Sequence, residues 1–144
     1  EQVITCLQEH NITPQGLILD VGAGTGISSE LLVKQGCRCV LLDPSRGMLR
    51  QSNLNNVIKV VGSGEKIPFP NEFFDGVISL TALHHCNVEK AKREIERVVK
   101  PKGWIAISLL KENVSRYQEL FQDYELQEIG KDMLFFKRSL MSQS

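Results

Sequence analysis

The sequence predicts an α/β fold, a doubly wound and mostly parallel sheet with helices on both faces. Three observations predict it. Apolar runs of strand length alternate with helix-spaced apolar patterns; the first run, Leu17 to Val21, ends directly on the glycine-rich turn Gly22-Ala-Gly-Thr-Gly26; and the chain closes on two strand-like runs separated by a hairpin-length turn. With 144 residues, 42% of them hydrophobic, the chain can bury one core and is short for two, so residues 1–144 are expected to form a single domain.

The elements follow in order. Glu1 to His10 reads as a helix that stops before Pro14, with Val3, Ile4 and Leu7 on one face. Leu17 to Val21 is a buried strand. After the glycine turn, Ile27 to Gln35 is a helix whose stripe is Ile27, Leu31 and Leu32 and whose end is marked by Gly36. Cys39 to Asp43 is the second strand. The Asp43-Pro44 break follows, and Ser45 caps a short helix running to about Asn53. Val57 to Val61 is a third buried strand, and Gly76 to Leu80 a fourth, entered through Pro68-Phe-Pro-Asn-Glu-Phe, where two prolines forbid regular structure. Asn87 caps the longest helix, Val88 to Lys100, which turns Val88, Ala91, Ile95, Val98 and Val99 inward. Its charges, spaced by four as in Glu89/Arg93 and Lys92/Glu96, read as a solvated face. Pro101 ends it, Trp104 to Leu110 is the fifth strand, and Tyr124–Ile129 and Met133–Lys137 flank the turn at Gly130-Lys-Asp132.

The glycine turn marks a ligand site, because backbone without a Cβ can approach a bound molecule closely. A dinucleotide fingerprint needs G-x-G-x-x-G, whereas this chain has G-x-G-x-G with Ile27 where the third glycine belongs. Asp20 also opposes a pyrophosphate, with a repulsion of roughly 1 kcal/mol at 4 Å in water and several times more in a cleft. A cationic ligand would welcome it. The Lys-Ser/Thr pair of a P-loop is missing as well.

Leu17-Ile-Leu-Asp-Val-Gly-Ala-Gly-Thr-Gly26 resembles the first motif of the class I methyltransferases that use S-adenosyl-L-methionine. Cys39-Val-Leu-Leu-Asp43 is similar to that family's second strand, which ends in a ribose-binding acid. Val60-Val-Gly-Ser-Gly-Glu-Lys-Ile-Pro-Phe-Pro70 with Phe73-Phe-Asp-Gly-Val-Ile-Ser79, then Leu83-His-His85 and Arg97-Val-Val-Lys-Pro-Lys-Gly103, resemble its later signatures in the family's order. The resemblance implies a Rossmann-like seven-stranded sheet of order 3-2-1-4-5-7-6 with strand 7 antiparallel. It implies cofactor contacts from Asp20, Val21, Gly22, Ala23 and Gly24 around the first turn, from Asp43, Pro44 and Met48 after the second strand, from Ser63, Gly64 and Glu65 after the third, and from Leu80 at the end of the fourth. In that scheme the glycine backbone lines the methionine part and Asp20 orients its amino end through the loop or water. Asp43 would bind the ribose, Ser63 and Gly64 flank the adenine, and Met48 cover one of its faces. Two departures stand out. Ser63 occupies a position where many members carry an acid, and Lys102 replaces the first glycine of a P-G-G turn, which should change only the local turn.

Methyl transfer from a sulfonium needs the acceptor held about 3 Å from the methyl carbon in a dry site, and a base only where the acceptor is protonated at neutral pH. His84 and His85 are the candidate bases, although two adjacent residues past a strand rarely face the same way, so one is expected to be structural. No N-P-P-Y-like run follows the fourth strand, and the L-P-F and L-H-H signatures resemble the branch that methylates small molecules, quinone precursors among them. A small-molecule or lipid-like acceptor is therefore expected. The resemblance also leaves open a tRNA- or protein-modifying methyltransferase, or a donor-binding subunit without activity that serves a catalytic partner, and so a nucleic-acid or protein partner.

Seventeen basic and seventeen acidic residues give no global field for nucleic acid. No apolar run approaches 18 residues and no basic-then-apolar leader is present, so neither a membrane span nor a secretory signal is expected. Cys6, Cys37, Cys39 and Cys86 lack the paired spacing of a zinc site, so no metal is expected; reduced thiols fit a cytoplasmic setting.

Overall fold

The computed structural model describes residues 2–139, apart from the side chain of His84. Its sheet is built from β1 (Leu17–Val21), β2 (Arg38–Asp43), β3 (Val57–Val61), β4 (Phe74–Leu80), β5 (Val99–Leu110), β6 (Glu125–Ile129) and β7 (Asp132–Arg138). The order is β3-β2-β1-β4-β5-β7-β6, as the resemblance implies. The first five strands pair in parallel, and β7 runs antiparallel between β5 and β6. Helices α1 (Gln2–Glu9), α2 (Glu30–Lys34), α3 (Arg46–Arg50), α4 (Val88–Val98) and α5 (Val114–Tyr117) complete the fold.

Period-two alternation along the strands separates two cores. On β1 and β5, Leu19, Val21, Ile105, Ile107 and Leu109 face the α4 side, with Phe74, Ile95 and Phe135. Ile18, Trp104 and Ala106 face the other side, with Ile4, Leu7, Leu32 and Leu49 from the first three helices. Gly76 makes room on this second face: a Cβ there would lie 2.2 Å from the Trp104 ring. The indole thus forms part of the sheet's floor beneath the site.

Several predicted boundaries shift, each for a local reason. The helix expected from Ile27 begins instead as a 3-10 turn, Ile27–Ser29, and Ile27 is 78% exposed rather than part of a buried stripe. The Ser45 cap forms, accepting Met48 N–H at 3.2 Å, but α3 ends at Arg50, because Ser52 is buried and turns the chain, its Oγ accepting Leu54 N–H. The third strand is an edge strand with Ile58 and Val61 exposed, not a buried one. Strands β4 and β5 start earlier than predicted because Phe74 pairs with Val99, and this pairing ends α4 at Val98. Lys102 adopts φ 69°, in the left-handed region that favours glycine. The hairpin turn is Gly130-Lys131, and α5 was not anticipated.

The face of α4 is not simply solvated. Lys92 and Glu96 are 3.2 Å apart with side chains only 14% and 29% exposed, whereas Glu89 and Arg93 are open to solvent. Tyr124 explains the difference: its hydroxyl donates to Glu96 Oε2 at 2.7 Å, and Lys137 lies 4.7 Å over its ring while pairing with Asp123 at 2.8 Å. Burial, followed by Glu96, pushes the phenol far above its ordinary pKa. Tyr124→Phe should therefore lower the unfolding free energy by about 1.5–3 kcal/mol, the usual scale for a hydrogen bond to a charged group. Urea unfolding of both proteins checks this.

Candidate functional site

The parallel register places the carboxyl ends of β1, β2 and β4 side by side, with Asp20 opposite Leu41 and Ile78. Ligands of open α/β sheets bind beyond these ends, where strand order reverses. The glycine turn is pinned there by paired donors, Gly22 and Ala23 N–H both donating to Leu42 C=O at 2.8 and 3.0 Å. Gly24 N–H donates to Asp43 Oδ2 at 2.8 Å, while Ser45 N–H donates to Asp43 Oδ1 at 2.8 Å. One carboxylate thus bridges the turns after β1 and β2.

Asp20 is 1% exposed, and its Oδ2 accepts from the Ser28 and Ser29 hydroxyls at 2.5 and 2.7 Å. These two bonds explain the 3-10 turn at residues 27–29, since the serines must face back toward β1. Among the described residues Oδ1 finds no hydrogen-bond partner although it is buried. Burial above all, with a smaller push from Asp43, raises its pKa to about 6 against the pull of the two serines.

A cavity of about 500 Å³ opens beside this turn, its walls drawn from α1, the glycine turn, the 3-10 segment and α2, Met48, and the Ile78, Leu80 and Trp104 side of the sheet. Of the residues expected to hold the cofactor, Gly22, Ala23, Gly24, Met48 and Leu80 line it. Met48 is not core: it is 41% exposed, with its methyl 3.5 Å from where a Gly24 Cβ would stand. Asp20 and Val21 lie behind the turn, Val21 C=O accepting from buried Ser79 Oγ at 2.9 Å. Asp43 and Pro44 lie outside the lining, at the end of β2.

Ser63, Gly64 and Glu65 form the neighbouring turn, joined to β2 through Gly62 N–H and Asp43 C=O at 3.1 Å. Gly64 packs on the end of β1, for a Cβ there would come within 2.8 Å of Val21 Cγ1. Ser63 Oγ accepts Glu65 N–H at 3.1 Å, and Glu65 accepts Asn87 N–H at 3.2 Å at the cap of α4. His85 is exposed on the 3-10 turn Leu83–His85 and does not line the cavity; the side chain of His84 lies outside the described residues.

Sequence reasoning missed three features, carried by four residues. Arg97 braces the Ile67–Asn71 segment, donating to the carbonyls of Ile67 and Phe69 at 2.8 Å each while pairing with Glu94, whose carboxyl the guanidinium holds below its usual pKa. Its place in the Arg97-Val-Val-Lys-Pro signature was the available signal. Ser28 and Ser29 were the second, signalled only by polarity at the start of an amphipathic helix. Thr81, with φ 54°, was the third and had no sequence signal.

Residues 19–107 match the family described as a methyltransferase domain. The chain belongs to the methyltransferase domain family. A demethylmenaquinone methyltransferase of Corynebacterium urealyticum is 37% identical over 99 residues, covering 68% of this chain and 43% of the relative. That of Mycobacterium marinum is 34% identical over 115 residues, covering 78% and 50%. The chain thus spans about half or less of the length of these curated relatives. Among solved structures, a Methanococcus maripaludis protein provisionally described as an S-adenosyl-L-methionine-dependent methyltransferase superposes with a TM-score of 0.81 at 22% identity, covering 97% of this chain and 84% of that one, a likeness of fold.

The methyl donor of this methyltransferase family is S-adenosyl-L-methionine, and the residues present fit it. The buried orphan oxygen of Asp20 calls for positive charge nearby, which the donor's ammonium and sulfonium carry, and the glycine turn leaves backbone open to the cavity. Among the described residues no three His, Cys, Asp or Glu side chains converge to hold a metal, and no helix is long and apolar enough to cross a membrane.

Proposed function

We propose that this chain binds S-adenosyl-L-methionine at the ends of β1 and β2 and supports methyl transfer to a small, lipid-like acceptor of the quinone-precursor kind. The observation that supports the reading is the largely apolar cavity bordered by Gly22, Gly24, Met48 and Leu80, which would seat an apolar guest against the glycine turn. The names of the curated relatives support the same acceptor class.

When bound, the donor supplies a methyl group already activated on a sulfonium. The protein's residues need only bind, orient and dry the site. Asp43 retains acceptor capacity for the ribose hydroxyls, since each of its oxygens takes only one backbone N–H and a carboxylate offers about four lone-pair sites. Met48 would cover one side of the adenine and the Ser63-Gly64-Glu65 turn would flank the other, with Pro44 setting the exit from β2. Val21 and Ala23 shape the methionine end, and Leu80 adjoins the acceptor. Where the acceptor carries a proton, the proposed base is the imidazole of His85 or His84 on the turn after β4; His85 is exposed and outside the cavity lining, so it would serve an acceptor that extends toward that turn. The reading places the protein in the cytoplasm, where its four free cysteines stay reduced.

Calorimetric titration with S-adenosylhomocysteine, with NAD in parallel, tests the assignment. Micromolar binding of the former and none of the latter is expected; binding of NAD alone would sink the reading. Asp43→Ala should weaken S-adenosylhomocysteine by about 1–3 kcal/mol, or roughly 5- to 150-fold, through loss of charge-assisted bonds to the ligand and of the bridge between the two turns. Unchanged affinity would remove Asp43 from the site.

A further inference from the structure

We propose that Thr81 and Asp132 form a positioning clamp that holds the chain after β4 against the glycine turn; its link to donor affinity rests on the methyltransferase reading above. Thr81 immediately follows Leu80, a wall of the cavity, and has φ 54°. A β-branched residue in this region is strained and persists only where its surroundings over-determine it.

The surroundings here come from two strands, β5 and β7. Thr81 N–H donates to Ser108 C=O at 3.1 Å and to Ser108 Oγ at 2.9 Å, and Thr81 Oγ1 donates to Asp132 Oδ2 at 3.1 Å. The carboxylate can only accept, so it takes the threonine proton, and the 3.2 Å contact between the hydroxyls is then Ser108 donating to Thr81. Register places Leu80, Ser108 and Leu134 side by side, with Asp132 two residues before Leu134, so the clamp lies on the cavity face of the sheet.

The left-handed turn delivers Ala82 onto Gly22. A Cβ at Gly22 would stand only 2.4 Å from Ala82 Cβ, so the alanine methyl rests on the α-hydrogens of the first glycine. The segment bearing Leu83–His85 is thereby seated against the donor-binding turn from a carboxylate at the start of β7. Nothing in the established signatures includes Asp132.

The test is the nuclear Overhauser contact between the Ala82 methyl and Gly22 α protons, with S-adenosylhomocysteine affinity measured on the same samples. Asp132→Ala should lose the contact and raise the dissociation constant about tenfold, the scale of one hydrogen bond to a charged group. Asp132→Asn, which keeps an acceptor oxygen, should retain both. Thr81→Gly accepts the positive φ without strain, so Thr81→Gly combined with Asp132→Ala should restore the contact. Persistence of the contact in Asp132→Ala, or no restoration in the double variant, would overturn the clamp. Loss of the contact with unchanged affinity would overturn its link to the site. If the parent protein binds no S-adenosylhomocysteine while the contact follows the clamp, the methyltransferase reading fails and the clamp stands.

Discussion

Gly22→Val is expected to abolish measurable S-adenosylhomocysteine binding and to lower the unfolding free energy by about 3 kcal/mol or more, a cost assembled from two separate effects. The first is conformational. Gly22 has φ 73°, where a β-branched side chain is a genuine outlier. The second is space, because the new Cβ would stand 2.4 Å from Ala82 Cβ, closer than carbon atoms can approach. Relaxation must therefore move either the turn or the segment after β4. The turn is tied by Gly22 and Ala23 N–H to Leu42 C=O and by Gly24 N–H to Asp43, so moving it breaks the bonds that fix the turn beside the cavity. Guanidinium unfolding followed by calorimetry at a temperature where the variant is folded separates the two effects. A folded Gly22→Val that binds with parental affinity would show that the turn is not part of the site.

Legibility from sequence followed the range of the interactions involved. Strand ends bearing Asp20 and Asp43 were readable because continuous apolar runs stop abruptly at a carboxylate, and caps at Ser45 and Asn87 formed as expected because capping is local. The strand order was legible only through resemblance, since periodicity does not say which strands are neighbours. The exposure of β3 was not read, because Val57–Val61 is apolar at every position but Lys59, whose charge was the one local sign of an edge, and the strand becomes an edge only once the order is known. Ile27 was misplaced for a different reason. Helical spacing put it with Leu31 and Leu32, but the Asp20 hydrogen bonds to Ser28 and Ser29 tighten the first turn to 3-10 geometry and rotate Ile27 outward. The strain at Thr81 depends on Ser108 and Asp132, 27 and 51 residues away, so no local pattern could signal it.

Asp20 yields the prediction with opposite signs for stability and binding. In the folded, ligand-free protein its pKa is about 6, above the value near 3.9 of an unfolded chain. The folded state therefore holds the proton more tightly, and its stabilising contribution is fully present below pH 4 and lost as pH rises through 6. By pH 7 the buried, half-satisfied carboxylate costs about 3 kcal/mol relative to its protonated form. Asp20→Asn, which keeps the shape and an oxygen for Ser28 and Ser29, should raise the stability of the ligand-free protein at pH 7 by up to about 3 kcal/mol and by little at pH 4. Binding should move the other way. A cationic ligand stabilises the ionised form, so the affinity for S-adenosylhomocysteine, whose amino group is positive, should be level above pH 7 and fall about tenfold per unit below pH 6. Proton release on binding, read by calorimetry in buffers of different ionisation enthalpy, should approach one proton near pH 5 and vanish in Asp20→Asn. A flat affinity profile from pH 5 to 8 in the parent protein would mean that the charge of Asp20 is not sensed by the ligand. The carboxylate would then be a structural anchor for the two serines, and its orphan oxygen would have no bearing on the site. The combination expected here, a variant that folds more stably and binds less well, is the mark of a group kept for function at the expense of stability.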